Sequence, residues 1–141
     1  MQSIKEWRNG CFERSTLKRI GLRIQLGHTC EERCVYPQRA FADDFVIIDL
    51  HGVHDVALDY CGCERAEVKH VQLLRSRLFP ATSVDPKTAC TFRLLEFHHI
   101  LHNQTKASGF EFYATLARRS NNTGTEEVKV NVSFILHRLR S

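Results

Sequence analysis

Two cysteines separated by one glycine, Cys61-Gly62-Cys63, stand at the end of a run of alternating residues. In an extended strand, residues i and i+2 point to the same side, so both sulfurs can face one point. A Zn²⁺ ion takes four ligands in a tetrahedron, with thiolate sulfur at about 2.3 Å and imidazole nitrogen at about 2.0–2.1 Å. A disulfide between cysteines this close would be strained. The pair therefore indicates half of a zinc site, although the commoner zinc knuckle separates its cysteines by two residues.

The other half of such a site has to come from a different segment. The stretch GHTCEERC, residues 27–34, offers one histidine and two cysteines directly after a predicted strand. These residues can meet the C-x-C pair if that strand pairs with the one that carries the pair. The preferred ligand set takes two residues from each segment: His28, Cys34, Cys61 and Cys63.

Two further ligand candidates stay open at this point. Cys30 could replace His28 or Cys34. His54 could also reach the site, although it lies seven residues before Cys61, roughly 20 Å along an extended strand, and a histidine packed on the sheet is the commoner case. If no metal binds, the cysteines are buried residues that behave as small hydrophobes.

The remaining cysteines and histidines predict no catalytic site. Cys11 and Cys90 stand alone, as core or surface thiols do. His98 and His102 have the i, i+4 spacing of the H-E-x-x-H metalloproteases, but the position of the glutamate is held by His99, so the general base is missing. A hydrolase is therefore weakly supported, and we expect no enzymatic activity.

The elements that must position these residues form an α+β chain. Alternating or apolar runs predict strands at 22–26, 45–50 and 53–60, with a turn at His51-Gly52. Helical spacing and helix-ending residues predict helices at 12–20, 70–79, 86–104 and 109–120. The expected fold is a small antiparallel β-sheet with a zinc cluster, followed by a helical half. The tail after Gly124 is ambiguous between strand and helix.

Length and composition fit one globular domain. The chain has 141 residues, 43% of them hydrophobic and 26% charged, and a formal net charge of +4. This mild positive charge permits nucleic-acid binding without requiring it. The first residues contain no apolar run typical of a signal peptide, and no stretch has the ~18–20 apolar residues of a membrane helix. We therefore expect a nuclear or cytoplasmic protein, neither secreted nor in a membrane, with reduced thiols.

Several sequence blocks carry a resemblance to a known family. The strings WRNGCFERSTLKRIGLRIQLGHTCEERC, DDFVIIDLHGVHDVALDYCGCE and VQLLRSRLFPATSVDPKTACTFRLLEF follow one another along the chain. In this order they resemble the C-x-C type cysteine-cluster domain that accompanies KDZ (Kyakuja–Dileera–Zisupton) transposases, a family abundant in fungal genomes. The resemblance runs from about Trp7 to Gly124. It implies a domain at 1–124, with a β and zinc part at about 7–64 and a helical part at about 68–120, and a divergent tail at 125–141.

The resemblance also bears on the ligands. It supports the four preferred residues as zinc chelators and places His54 in the matching G-[VI]-H block. At Cys11, Cys30 and Cys90 the family usually has other residues. Family members usually carry a B-box-like C-x-x-C and histidine cluster before the Trp7-like position, and they continue into a catalytic domain. Neither is found in this sequence, so we expect a fragment or relic that lacks the machinery for strand transfer.

The function expected from these observations is a non-catalytic zinc-binding module derived from a DNA transposase. The zinc would be structural, and the module would assist DNA binding, with no small-molecule substrate. The basic residues proposed to contact phosphates are Arg14, Lys18, Arg19 and Arg23. The alternative is a protein-interaction module that docks residues 70–120 on a transposase or another partner, or a transposon relic without function and without DNA contact.

Overall fold

The computed structural model describes residues 4–120, and the predicted tail at 125–141 lies outside this range. Eight strands and three helices follow one another along the chain. The strands are β1 (Ile4–Arg8), β2 (Cys11–Ser15), β3 (Arg23–Gln25), β4 (Pro37–Arg39), β5 (Phe45–Asp49), β6 (Gly52–Cys61), β7 (Leu78–Pro80) and β8 (Thr88–Thr91). The helices are α1 (Lys69–Arg75), α2 (Phe92–Thr105) and α3 (Gly109–Ser120). The predicted α+β class is confirmed.

The long strand β6 is the centre of the main sheet, whose order is β3-β6-β5-β8-β7, with β4 also paired to β6. This sheet is mixed rather than purely antiparallel. β3 runs parallel to β6 and β5 runs parallel to β8, whereas β4 and β5 are antiparallel to β6. The first two strands form a separate antiparallel sheet. The predicted strands at 22–26, 45–50 and 53–60 are therefore present, within one or two residues at each end.

The helix predicted at 12–20 is absent, whereas those predicted at 70–79 and 86–104 are present in part, as α1 and α2, beside strands. Residues 12–15 belong to β2, because Asn9-Gly10 forms a tight hairpin turn in which both residues have positive φ, 49° and 83°. Residues 78–80 and 88–91 form β7 and β8, which pair with each other. β8 also pairs with β5, and its Ala89 and Cys90 are fully buried. Completing the sheet core outweighs the helical spacing of these short apolar runs. Only α3 has the predicted bounds of 109–120.

Two groups of buried side chains lie on the sheet. One contains Phe45, Leu58, Tyr60 and Leu73 and connects the sheet to α1. The other contains Ile48, Val53, Cys90, Leu94, Phe112 and Leu116 and connects the sheet to α2 and α3. Burial raises the pKa of Cys90 to about 12, as expected for a thiol in an apolar core. None of the helices within residues 4–120 combines the length and apolar character needed to cross a membrane.

Candidate metal centre

The parallel pairing of β3 and β6 creates the centre. Ile24 pairs with Leu58 and Gln25 with Asp59, so both strands run in the same direction and end at the same edge of the sheet. Leu26 extends the pairing by donating a backbone hydrogen bond to the Asp59 carbonyl at 2.9 Å. The chain after β3 then carries His28, and the end of β6 carries the C-x-C pair. This edge therefore brings the two ligand-bearing segments together.

Strand β4 positions the third contributing segment. It pairs antiparallel with the last residues of β6, with Pro37 opposite Cys61. Cys34 lies three residues before β4, and this pairing holds it near the end of β6. The backbone N–H of Gly62 donates to the Tyr36 carbonyl at 2.9 Å and so joins the residue after β6 to the residue before β4.

Two glycines are needed for the segments to come this close. Gly27 has φ +82°, and a Cβ there would lie 2.5 Å from the Cβ of Cys61. A Cβ at Gly62 would lie 2.8 Å from the Tyr36 backbone oxygen. Both distances are shorter than real Cβ contacts. The glycines before His28 and within the C-x-C pair are therefore structural requirements of the centre.

Four ligand atoms of the centre lie within 4.8 Å of one another: one each from His28, Cys34, Cys61 and Cys63. The sulfurs of Cys34 and Cys63 are 3.7 Å apart, and His28 Nε2 lies 3.2 Å from the Cys61 sulfur and 3.7 Å from the Cys63 sulfur. A tetrahedral zinc site has sulfur–sulfur distances of about 3.8 Å and sulfur–nitrogen distances of about 3.6 Å. The group is close enough to bind one metal ion, and its donor set of three sulfurs and one imidazole is typical of structural zinc.

The surroundings orient the imidazole and influence the thiols. His28 Nδ1 lies 3.7 Å from a Glu32 carboxylate oxygen, which leaves Nε2 towards the sulfurs, as in carboxylate–histidine–metal arrangements. Hydrogen bonds from the Cys61 and Cys34 thiols lower the pKa of Cys63. The Cys63 backbone N–H favours the Cys61 thiolate, but burial and the neighbouring thiols outweigh it and raise the pKa of Cys61. Of Cys61 and Cys63, the latter is therefore the one whose surroundings favour the thiolate.

Two glutamine side chains hold the ligand-bearing backbone in place. Gln72 on α1 is 3% exposed. Its Oε1 accepts from the Cys61 N–H at 2.8 Å, and its Nε2 donates to the carbonyls of Cys61 at 3.0 Å and Glu67 at 2.6 Å. On the other segment, Gln25 accepts from the Cys34 N–H at 3.0 Å and donates to the Glu32 carbonyl at 2.8 Å. Sequence reasoning missed both residues, since a polar residue on an amphipathic strand or helix normally faces solvent.

The other sequence candidates lie outside the group. Cys30 is exposed, and His54 is half-buried on β6 opposite Ile47, where burial lowers its pKa. Cys11 is exposed on β2. His98 is buried, with its ring 4.9 Å from that of Phe112. Its neighbour on the helix, His102, contacts the Ala107 carbonyl through Nδ1 at 2.9 Å. Both of these histidines therefore have packing or capping contacts.

The four basic residues predicted to contact phosphates have different surroundings in the structure. Lys18 forms an ion pair with Asp44 at 2.8 Å. Arg23 bridges two carboxylates, with Asp43 at 2.9 Å and Asp59 at 2.7 Å. Two of the four residues are thus already engaged by acidic neighbours. Arg19 is exposed in the turn after β2, and Arg14 lies on β2 opposite Lys5.

Comparison with known protein families supports the sequence resemblance. A family model described as a CxC2-like cysteine cluster associated with KDZ transposases matches residues 17–124. This range is more than half of the chain and includes all four residues of the candidate centre. A search of curated proteins and a search of solved structures found no match.

Proposed function

We propose that this chain, which belongs to the family of CxC2-like cysteine clusters associated with KDZ transposases, is a non-catalytic zinc-binding module that assists DNA binding. The observation that carries the proposal is the convergence of His28, Cys34, Cys61 and Cys63, whose ligand atoms all lie within 4.8 Å. Three thiolates and one imidazole match the preference of Zn²⁺ for sulfur and nitrogen in a tetrahedron.

A structural role for the metal follows from the ligand count and from what the ligands connect. Four protein ligands fill a tetrahedral ion and leave no position for substrate or reactive water. The ion would join the chain after β3, the segment before β4 and the end of β6. Two of these segments adjoin strands of only three residues, β3 and β4, so strand pairing alone supports them weakly. Zinc binding would therefore contribute directly to the folding free energy of this edge of the sheet.

The test is the zinc content of the purified, tag-free protein, measured by native mass spectrometry. We expect one zinc per chain and its loss in the double variant Cys61→Ser/Cys63→Ser. The matched control is Cys11→Ser/Cys30→Ser, which also removes two thiols, but exposed ones outside the group. A folded wild-type chain without metal would contradict the proposal. So would loss of zinc in the control.

Assistance to DNA binding is the less direct part of the proposal. It is supported by the association of the family with transposases and by the net charge of +4. Binding through phosphates should weaken steeply with salt, by about 0.9 in log–log slope for each neutralised phosphate of duplex DNA. Titration of a labelled duplex with the zinc-loaded chain over a salt series measures this slope. A flat salt dependence, or no binding at low salt, would contradict DNA contact.

A second candidate function is a protein-interaction module, favoured by large apolar side chains exposed on the last two helices: Phe97, Ile100 and Phe110. On this account the partner is the KDZ transposase with which the family is associated. Co-expression followed by size-exclusion chromatography tests for a complex, which Phe110→Ser should weaken. Val84→Ser, an exposed apolar position in the β7–β8 loop, is the matched control. Co-elution unaffected by Phe110→Ser would contradict this account.

A further inference from the structure

The hairpin formed by β1 and β2 carries two large aromatic rings in solvent. Trp7 and Phe12 are partners in the strand register, and their ring centroids are 4.8 Å apart with an interplanar angle of 71°. This edge-to-face pair stabilises the hairpin. Even so, Trp7 is 61% exposed and Phe12 is 66% exposed. The outer surfaces of both rings remain available to a ligand.

The acidic residues of this hairpin lie on one face only. Strand alternation places the basic residue Lys5, whose register partner is Arg14, on the face of the aromatic rings. The acidic residues Glu6 and Glu13 also pair with each other and share the opposite face. The aromatic face thus carries the positive charge of Lys5, and Glu6 and Glu13 lie on the other face.

The opposite face of the hairpin is partly buried, although Arg8, Cys11 and Glu13 on it are exposed. Ser15 on that face is 4% exposed. Glu6, also on that face, is half-buried and forms an ion pair with Arg8 at 3.2 Å. The aromatic face is exposed at Lys5, Trp7 and Phe12, so it offers flat apolar rings beside positive charge.

We propose that this aromatic face, formed by Trp7 and Phe12 with Lys5, binds single-stranded nucleic acid by stacking bases on the rings. Exposed aromatic side chains beside basic groups are the combination that single-stranded nucleic acids require, because every base has a π-face and every linkage a negative charge. The inference rests on the DNA contact proposed above and assigns it a surface, but it does not depend on the zinc site. It replaces Lys18 and Arg23 as phosphate contacts, since both already have acidic partners.

The chain itself reports on this site, because Trp7 is its single tryptophan. Titration of the zinc-loaded full chain with oligothymidine of about 12 nucleotides, within the range of known single-strand site sizes, should quench its fluorescence. Binding is measured in parallel by anisotropy of a labelled oligonucleotide. Trp7→Ala or Phe12→Ala should weaken binding by about 5- to 150-fold, the effect of losing one stacked base. Phe92→Ala, which removes a ring that is 41% exposed at the start of α2, should leave binding unchanged.

Salt dependence tests the charged part of the site. Lys5→Gln should reduce the slope of log K against log[salt] by about 0.7 for a single strand. Lys18→Gln removes the same charge, but from a residue paired with Asp44, and should leave the slope unchanged. Equal effects of the two substitutions would overturn the assignment of charge to the hairpin.

Three results would overturn the inference, and they separate it from the proposals above. Binding of oligothymidine without a change in tryptophan fluorescence would place the site elsewhere. Binding of duplex DNA but not of oligothymidine would leave the DNA contact standing and exclude the single-strand site. Binding of neither by a chain that contains zinc would remove both nucleic-acid proposals while the metal centre remains.

Discussion

Gln72 provides the sharpest test of how the fold supports the metal centre. Its side chain makes hydrogen bonds to the N–H and the carbonyl of Cys61 and to the Glu67 carbonyl. Leucine has nearly the same volume but can make none of them. Gln72→Leu would therefore leave two backbone groups of Cys61 buried without these partners, at the residue that ends β6.

The expected loss of stability in Gln72→Leu follows from the backbone groups that lose their hydrogen-bond partners. A buried donor or acceptor that loses its partner costs about 1–3 kcal/mol, so the two groups of Cys61 together should cost about 2–6 kcal/mol. This is a large part of the ~5–15 kcal/mol that stabilises a typical domain. Because Gln72 fixes the backbone of a ligand, zinc affinity should also fall, by about 10–100-fold as for other residues that orient metal ligands.

Urea unfolding of the zinc-loaded protein and competition with a chelating dye measure the two quantities. Gln104→Leu, the same substitution at an exposed position of α2, is the control and should change the free energy of unfolding by less than about 0.5 kcal/mol. If Gln72→Leu also stays within about 0.5 kcal/mol and retains wild-type zinc affinity, the reasoning about Gln72 is refuted.

Three further predictions concern the glycine turn, the thiols and an ion pair. Gly27→Ala should lower the free energy of unfolding in urea more than Gly21→Ala does. Both positions have positive φ, which costs about 1–2 kcal/mol for alanine. Only at Gly27 does the new Cβ also collide with another residue, Cys61. Equal losses would contradict the close approach to Cys61. Zinc should slow alkylation of the coordinating thiols and chelation should restore it, as followed by peptide mass spectrometry at Cys34, Cys61 and Cys63. The Arg23 guanidinium lowers the pKa of Asp43 in the folded protein. The ion pair therefore stabilises the fold fully at pH values above the ordinary aspartate pKa, and this stabilisation is lost as the pH falls through the lowered pKa of Asp43. The stability advantage of wild type over Asp43→Asn should therefore shrink from pH 5 to pH 3, and a constant difference would contradict the pairing.

Two of the three strands that build the centre were predictable because their patterns are strong. Residues 22–26 and 53–60 alternate, and the structure has β3 and β6 at these places. The ligand set was reached from spacing, which left Cys30 and His54 open, and from the family resemblance, which favoured His28 and Cys34. The structure brings together the same four residues, because the β3–β6 pair is parallel and ends at one edge.

The parts that sequence reasoning missed depend on partners distant in the chain. The helix predicted at 12–20 overlooked Asn9-Gly10, the dipeptide that most strongly favours a two-residue hairpin. Residues 88–91 form a strand because β5 offers a parallel partner, and no local pattern contains that information. The same holds for Gln72, whose role exists only once α1 packs against the end of β6.

Zinc K-edge X-ray absorption of the wild-type chain tests the central claim most directly, because it counts the ligand atoms by type. The account predicts three sulfurs at about 2.3 Å and one nitrogen at about 2.0–2.1 Å. A shell of four sulfurs would contradict it, because Cys30 would then be a ligand in place of His28. A shell of oxygen and nitrogen alone would mean that the Cys34, Cys61 and Cys63 thiols do not hold the metal.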